Sequence, residues 1–207
     1  DSDPSHYPAM RPDHLIERIA PGARVTACAP LTGGVSAEVH AVTFLNPDGT
    51  QQRVVVRRHR AVAGKTDRGL RARREFELLT VLHARGLPVP RQHLFEPPDT
   101  LVQDLIDGET GLPADPAPAL ARVLADIHAT ETTGLPDLPE RSDPLPELAD
   151  WLPAHAARAR GTAAFRGPPR LLHGDFWSGN VLWRAGRIAA VLDWEDAALG
   201  DPLSDVA

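Results

Sequence analysis

The stretch Leu171-Leu172-His173-Gly174-Asp175-Phe176-Trp177-Ser178-Gly179-Asn180, followed by Asp193-Trp194-Glu195, constrains this chain more than any other part of it. Between Asn180 and Asp193 lie two short β-rich runs, Val181 to Arg184 and Arg187 to Leu192, on either side of Ala185-Gly186. That is the pattern of a small hairpin. A hairpin runs out and returns, so it brings Asn180 and Asp193 beside each other despite their separation in sequence.

Those residue types suit phosphoryl transfer. A carboxylate must orient the attacking hydroxyl, while an amide oxygen and a second carboxylate hold the metal that neutralises phosphate charge. Asp175, Asn180 and Asp193 fit these roles in that order. Taken singly, each Asp is better read as a solvated acid at a strand end. Their joint order and spacing speak against that bland reading. A divalent-metal hydrolase built on His173, Asp175, Asp193 and Glu195 would use the same cluster, but it leaves the first half of the chain without a role.

Upstream, short β-rich runs at Val25 to Cys28, Val39 to Phe44 and Arg53 to Arg57 precede a helix over Leu70 to Arg85. Asn46-Pro47-Asp48-Gly49 supplies the turn between the second and third runs, and Gly86 and Pro88 mark the helix stop. On this helix Leu78, Leu79 and Leu82 share a face with Glu75. A carboxylate inside an apolar stripe is costly without a partner. Thr100 to Leu105 reads as a further strand, Asp107-Gly108-Glu109 as a connector, and Leu120, Val123, Leu124 and Ile127 recur with helical period after Asp115-Pro116. A loop rich in Pro, Thr and Asp over 131–146 precedes a helix expected around Leu148 to Arg160. The expected boundary divides the chain into 1–105 and 106–207.

With H-G-D-x4-N and the following Asp in place, the chain resembles the aminoglycoside phosphotransferase and choline kinase-like family, relatives of the protein kinases, over roughly residues 28 to 207. The resemblance implies a two-lobed α+β protein-kinase-like fold. Its N-terminal lobe is an antiparallel sheet with one helix, and its C-terminal lobe is mainly helical with a catalytic hairpin. It implies Asp175 as catalytic base, Asn180 and Asp193 as ligands of Mg2+, and ATP or GTP as phosphate donor. His173 and Asp205 become structural supports, the latter within Gly200-Asp201-Pro202 through Asp205.

In the first lobe the resemblance gives Leu31-Thr32-Gly33-Gly34-Val35-Ser36 a part in covering phosphates. Glycines let backbone amides close over them, although Gly33-Gly34 is also simple turn chemistry. Arg57, at the end of Val54-Val55-Val56, falls where the family places a lysine or arginine that reaches the phosphates. Arginine contacts phosphate in a bidentate manner and stays charged. Glu75 then matches the helix glutamate that orients this cation, which accounts for its place in the apolar stripe. Gln103 to Asp107 becomes the linker whose backbone meets the nucleotide base.

The remaining features bound partners and location. A formal charge of −6 over 207 residues argues against a nucleic-acid or membrane-surface binder, leaving a small-molecule hydroxyl acceptor and a nucleoside triphosphate as the expected partners. The single Cys28 cannot form a disulfide within the chain, and no apolar run approaches the ~20 residues of a spanning helix. The expected location is cytoplasmic. The sequence begins at Asp1 rather than Met, and stops two residues after Asp205 where relatives continue into further helices. It therefore reads as truncated at the C-terminus, with Leu199, Leu203 and Val206 left as a surface for self-association. The rival from another class is a nucleotide-binding, pseudokinase-like module without turnover. Retention of Asp175, Asn180 and Asp193 speaks against it.

Overall fold

The structure is a computed structural model in which residues 12–31, 36–61, 67–141 and 167–205 are described. The expected helix around Leu148 to Arg160, and Gly33, Gly34 and Val206, lie outside them. The chain divides into two compact units, one formed by residues up to Arg73 with Gln92–Leu105, the other by Arg74–Arg91 with residues from Ile106 onward.

The first unit is a five-stranded sheet in the order β1-β2-β3-β5-β4. Strands β1 (Arg24–Pro30), β2 (Ala37–Leu45), β3 (Gln51–His59), β4 (Gln92–Glu96) and β5 (Thr100–Asp104) pair antiparallel throughout. Val42, Phe44, Val54, Val56 and Val102 form its core with Leu15 and Ile16 of helix α1 (Pro12–Ile19). Each such side chain removed from water contributes about 1.5–3 kcal/mol. The β2–β3 turn closes as the sequence predicts. Gly49 adopts φ +85 and donates to the Asn46 carbonyl at 2.9 Å, and the Asp48 carboxylate accepts from Thr50 N–H at 2.9 Å. Helix α1 carries the signal of Pro at its first position, and covers the apolar side of the sheet.

Helix α2 (Arg68–Ala84) starts on an Asp cap: the Asp67 carboxylate accepts from Gly69 N–H at 2.9 Å and Leu70 N–H at 3.2 Å. It ends where Gly86 takes φ +85 and Leu87 N–H returns to the Leu82 carbonyl at 3.1 Å. From Arg74 onward the helix belongs to the second unit. Leu78, Leu79 and Leu82 join Val123 and Ile127 of α3 (Ala117–His128), together with Leu171, Val191 and Trp194, in that unit's core.

The rest of the second unit is built from short strands. β10 (Ala198–Gly200) lies between β7 (Arg170–Leu172), antiparallel, and β6 (Glu140–Arg141), parallel. Gly200 permits this approach, since a Cβ there would stand 2.5 Å from the Arg141 carbonyl oxygen. The expected hairpin is β8 (Val181–Arg184) with β9 (Arg187–Val191), turned at Ala185 (φ +50) and Gly186 (φ +74). Two consecutive positive φ values match the twist of flanking strands. The connector at 107–109 is more structured than a solvated turn, because Glu109 exchanges backbone hydrogen bonds with Trp183 at 3.0 and 2.8 Å. Leu199 packs against the core rather than standing uncovered, whereas Leu203 is exposed.

Candidate active site

All of the H-G-D-x4-N segment and the D-W-E that follows the hairpin lie in the second unit. β7 delivers the chain to His173, a single 3-10 turn at Ser178–Asn180 presents Asn180, and β8 leaves from it. On return, Leu192 N–H donates to the Asn180 carbonyl at 2.8 Å. The residue before Asp193 is thereby hydrogen-bonded to Asn180, and the hairpin makes neighbours of distant residues as its sequence pattern requires.

Asp175 and Asn180 are joined directly. The Asn180 amide nitrogen donates to the Asp175 carboxylate and to the Asp175 carbonyl, both at 2.9 Å. Asn180 is buried while Asp175 is exposed. With both amide hydrogens committed, Oδ1 is the Asn180 atom suited to a cation. Asp193 takes φ +63, a left-handed conformation that Asp tolerates better than most residues. Oxygen donors from one carboxylate and one amide fit magnesium, which usually takes one or two protein carboxylates and completes its octahedron with water and phosphate oxygens. Among the described residues no group of three or more His, Cys, Asp or Glu forms a metal cage.

His173 ties the two halves together. Its Nε2 lies 2.9 Å from the Leu192 carbonyl and its Nδ1 3.2 Å from Asp175 N–H. A carbonyl can only accept and an amide N–H only donate, so the imidazole is the neutral tautomer protonated at Nε2. It is fully buried between Trp194, at a ring separation of 4.6 Å, and Phe176, edge-on at 5.8 Å. Burial holds its pKa below the ordinary 6.5, outweighing the Leu192 hydrogen bond and the carboxylates of Asp205, Asp193 and Asp175. An unfolded chain takes up a proton here below pH 6.5 while the folded chain does not. Stability from this group is therefore full above that pH and declines as pH falls from 6.5 toward the lower folded value. Thermal melts from pH 8 to 5 should show this decline in the parent and a shallower one in His173→Gln. Equal slopes would remove His173 from the account.

Asp205 supports the loop from below. One carboxylate oxygen accepts from His173 N–H and the other from Gly174 N–H, each at 2.8 Å, while His128 Nε2 approaches at 3.0 Å. Burial raises its pKa, but the hydrogen bonds from His128, Gly174 and His173 prevail and leave it below the ordinary 3.8. Arg141 adds a further tie by donating to the Gly174 carbonyl at 3.1 Å.

Gly174 itself has no substitute. It adopts φ +86, and a Cβ there would lie 2.0 Å from the Asp196 carbonyl oxygen. An L-residue pays about 1–2 kcal/mol for the left-handed backbone alone, and the overlap with Asp196 must also be relieved by moving the loop. Gly174→Ala should therefore destabilise the chain by more than the ~1–2 kcal/mol of the backbone alone, and denaturant melts at parental midpoint in the variant would contradict this.

Glu75, 2 % exposed, finds a backbone partner: its Oε1 accepts from Trp194 N–H at 3.3 Å. Trp194 is anchored again by its indole N–H to the Val191 carbonyl at 3.1 Å. Asp193 is thus held between a core tryptophan and the His173–Leu192 bond. Arg57 lies on β3 of the first unit, buried and in register with Val39 and Leu101. Ser36 accepts at its carbonyl from Arg60 N–H at 2.8 Å as β2 begins. The ties from Arg141 and to Trp194 left no pattern in the sequence, since one partner of each, the Gly174 carbonyl and the Trp194 N–H, is a backbone atom that any residue carries.

Residues 27–207 match the phosphotransferase enzyme family. The chain belongs to that family. Sequence similarity to curated proteins covers short stretches of the chain. Mouse acyl-CoA dehydrogenase family member 10 is 39% identical over 82 residues, which cover 39% of this chain and 6% of that protein. The chain spans between 6% and 11% of the length of the curated relatives it matches. Among solved structures, the macrolide 2'-phosphotransferase MphH from Brachybacterium faecium superposes with a TM-score of 0.64 at 24% identity, covering 93% of this chain and 74% of its own. The streptomycin-ATP-APH(2")-IIa ternary complex superposes with a TM-score of 0.61 at 21% identity, covering 93% and 72%. The α+β protein-kinase-like fold of the phosphotransferase family is therefore the fold of this chain. Among the described residues no helix is long and apolar enough to cross a membrane.

Proposed function

We propose that the chain is a magnesium- and nucleoside-triphosphate-dependent O-phosphotransferase acting on a hydroxyl of a small molecule in the cytoplasm. The observation that carries this reading is the pairing of Asn180 with the Asp175 carboxylate at 2.9 Å, in a turn whose hairpin returns to Asp193. Asn180 fixes one face of the carboxylate and leaves the exposed remainder to accept the acceptor's proton. The hydroxyl oxygen bonds to the γ-phosphorus as the bond from that phosphorus to the β–γ bridging oxygen breaks. The proton passes to Asp175 and the nucleoside diphosphate leaves. Magnesium held by Asn180 and Asp193 would supply neutralisation of phosphate charge. Family membership and a structural neighbour described with ATP and streptomycin support a nucleotide donor and a small acceptor. ATP and GTP are both suitable.

In the first unit Arg57 would contact the donor's phosphates, with Gly33, Gly34 and Ser36 contributing backbone amides. The test of the reading as a whole is transfer of labelled phosphate from ATP or GTP, with magnesium, across a panel of alcohols. Asp193→Ala should weaken nucleotide binding with magnesium and change it little without. Tight magnesium-nucleotide binding with transfer to no hydroxyl would favour a module without turnover.

A further inference from the structure

Side chains, and not a ladder, hold the backbone around Asp175. His173 to Trp177 lie between the end of β7 at Leu172 and the 3-10 turn that begins at Ser178, so no strand or helix sets the orientation of their peptide groups. Asp205 accepts from the N–H of His173 and of Gly174, each at 2.8 Å, and the Asn180 amide donates to the Asp175 carbonyl at 2.9 Å. The peptide between Gly174 and Asp175 is held at both ends. Arg141 donates to its carbonyl oxygen at 3.1 Å, and its N–H, on Asp175, donates to His173 Nδ1 at 3.2 Å. Asp205, His173 and Asn180 belong to segments already assigned, whereas Arg141 comes from strand β6, 33 positions away in sequence.

Each peptide group is a rigid plane, so the freedom at a residue is rotation about its two soft backbone bonds. At Gly174 the plane on the N-terminal side is fixed through the Gly174 N–H by Asp205. The plane on the C-terminal side carries the Cα of Asp175 and turns with ψ of Gly174, a rotation that glycine resists least because it has no Cβ. A guanidinium on the Gly174 carbonyl closes that freedom. Of the two ties on this plane it is the stronger, since a charged donor makes a bond roughly twice as strong as a neutral pair, and arginine keeps its charge throughout the working pH range. Arg141 is itself placed by β10. It pairs with Gly200 in the parallel ladder, where a Cβ on Gly200 would stand 2.5 Å from the Arg141 carbonyl oxygen.

We propose that Arg141 is a positioning residue: its guanidinium sets the plane of the Gly174–Asp175 peptide and so aims the Asp175 carboxylate. The proposal rests on the phosphotransferase reading for what Asp175 does, and on the geometry alone for how Asp175 is held.

Amide hydrogen exchange on the isotope-labelled chain reads this tie without any turnover. In Arg141→Ala the Asp175 N–H should exchange about 10- to 100-fold faster, the scale of losing a hydrogen bond to a charged group, while the His173 and Gly174 N–H groups, held by Asp205, keep parental rates. Arg141→Lys retains the charge without the planar fork and should fall between. In phosphate transfer Arg141→Ala should lower kcat on the order of 10²-fold, the effect of misplacing a reacting group by about 1 Å, with the magnesium-nucleotide Kd unchanged. A residue that only stabilised the fold would speed exchange at all three amides together and leave the kcat of folded protein intact. Either of those results would overturn the proposal, and so would parental exchange at Asp175. If Arg141→Ala does not fold, Arg141→Lys carries the same comparison, and the absence of a selective change at Asp175 overturns it there. Parental kcat in a folded Arg141→Ala would overturn the proposal and leave the phosphotransferase reading standing. Selective loss of protection at Asp175, in a chain whose parent transfers phosphate to no hydroxyl, would instead sink that reading and leave the placement of Asp175 by Arg141.

Discussion

Asp175→Asn should lower turnover by roughly 10²- to 10⁴-fold, the usual contribution of a positioned general base, while nucleotide affinity stays close to that of the parent. Asparagine has the same size and can still meet the Asn180 amide through its oxygen, so the 2.9 Å contact need not be lost with the charge. What is lost, on the proposed mechanism, is the group that takes the hydroxyl proton. An amide cannot accept it at neutral pH. Single-turnover transfer separates this from a binding defect, since kcat falls and the nucleotide Kd does not. Comparable kcat in the variant and the parent would show that the proton leaves by another route.

The legibility of this site follows from which interactions use side chains. Asp175, Asn180 and Asp193 stand out in the sequence because the proposed phosphoryl transfer calls for their residue types, and the turn at Ala185-Gly186 shows how the two ends of the hairpin meet. Glu75 is legible as an anomaly, a carboxylate in an apolar stripe, but its bond to Trp194 N–H is not. The requirement for glycine at 174 is equally silent, because it arises from the Asp196 carbonyl rather than from any side chain. Strands β6 and β10, of two and three residues, are too short to show a period of two. Helix α1 carries its signal in Pro12 and in Leu15, Ile16 and Ile19 spaced along one face, but at eight residues it shows the helical period only twice.

Asp205→Ala should cost about 3–5 kcal/mol of stability, the range for removing one member of a buried charged network. Its carboxylate side chain is fully buried and receives His173 N–H, Gly174 N–H and His128 Nε2 within 3.0 Å. Truncation strands two backbone donors and a histidine at once, and each buried donor left unpaired is costly in itself. Asn at this position keeps the volume but replaces one acceptor with a donor facing other donors, so Asp205→Asn should recover only part of the loss. The pH dependence has a defined sign. Because the folded pKa lies below the ordinary 3.8, the stabilisation is fully present above about pH 4 and disappears as pH falls through the folded value. Denaturant melts at pH 7 and at pH 3 should therefore separate parent and Asp205→Ala widely at the first pH and less at the second. A gap of the same size at both would mean that the carboxylate supports the loop through packing and not through its charge.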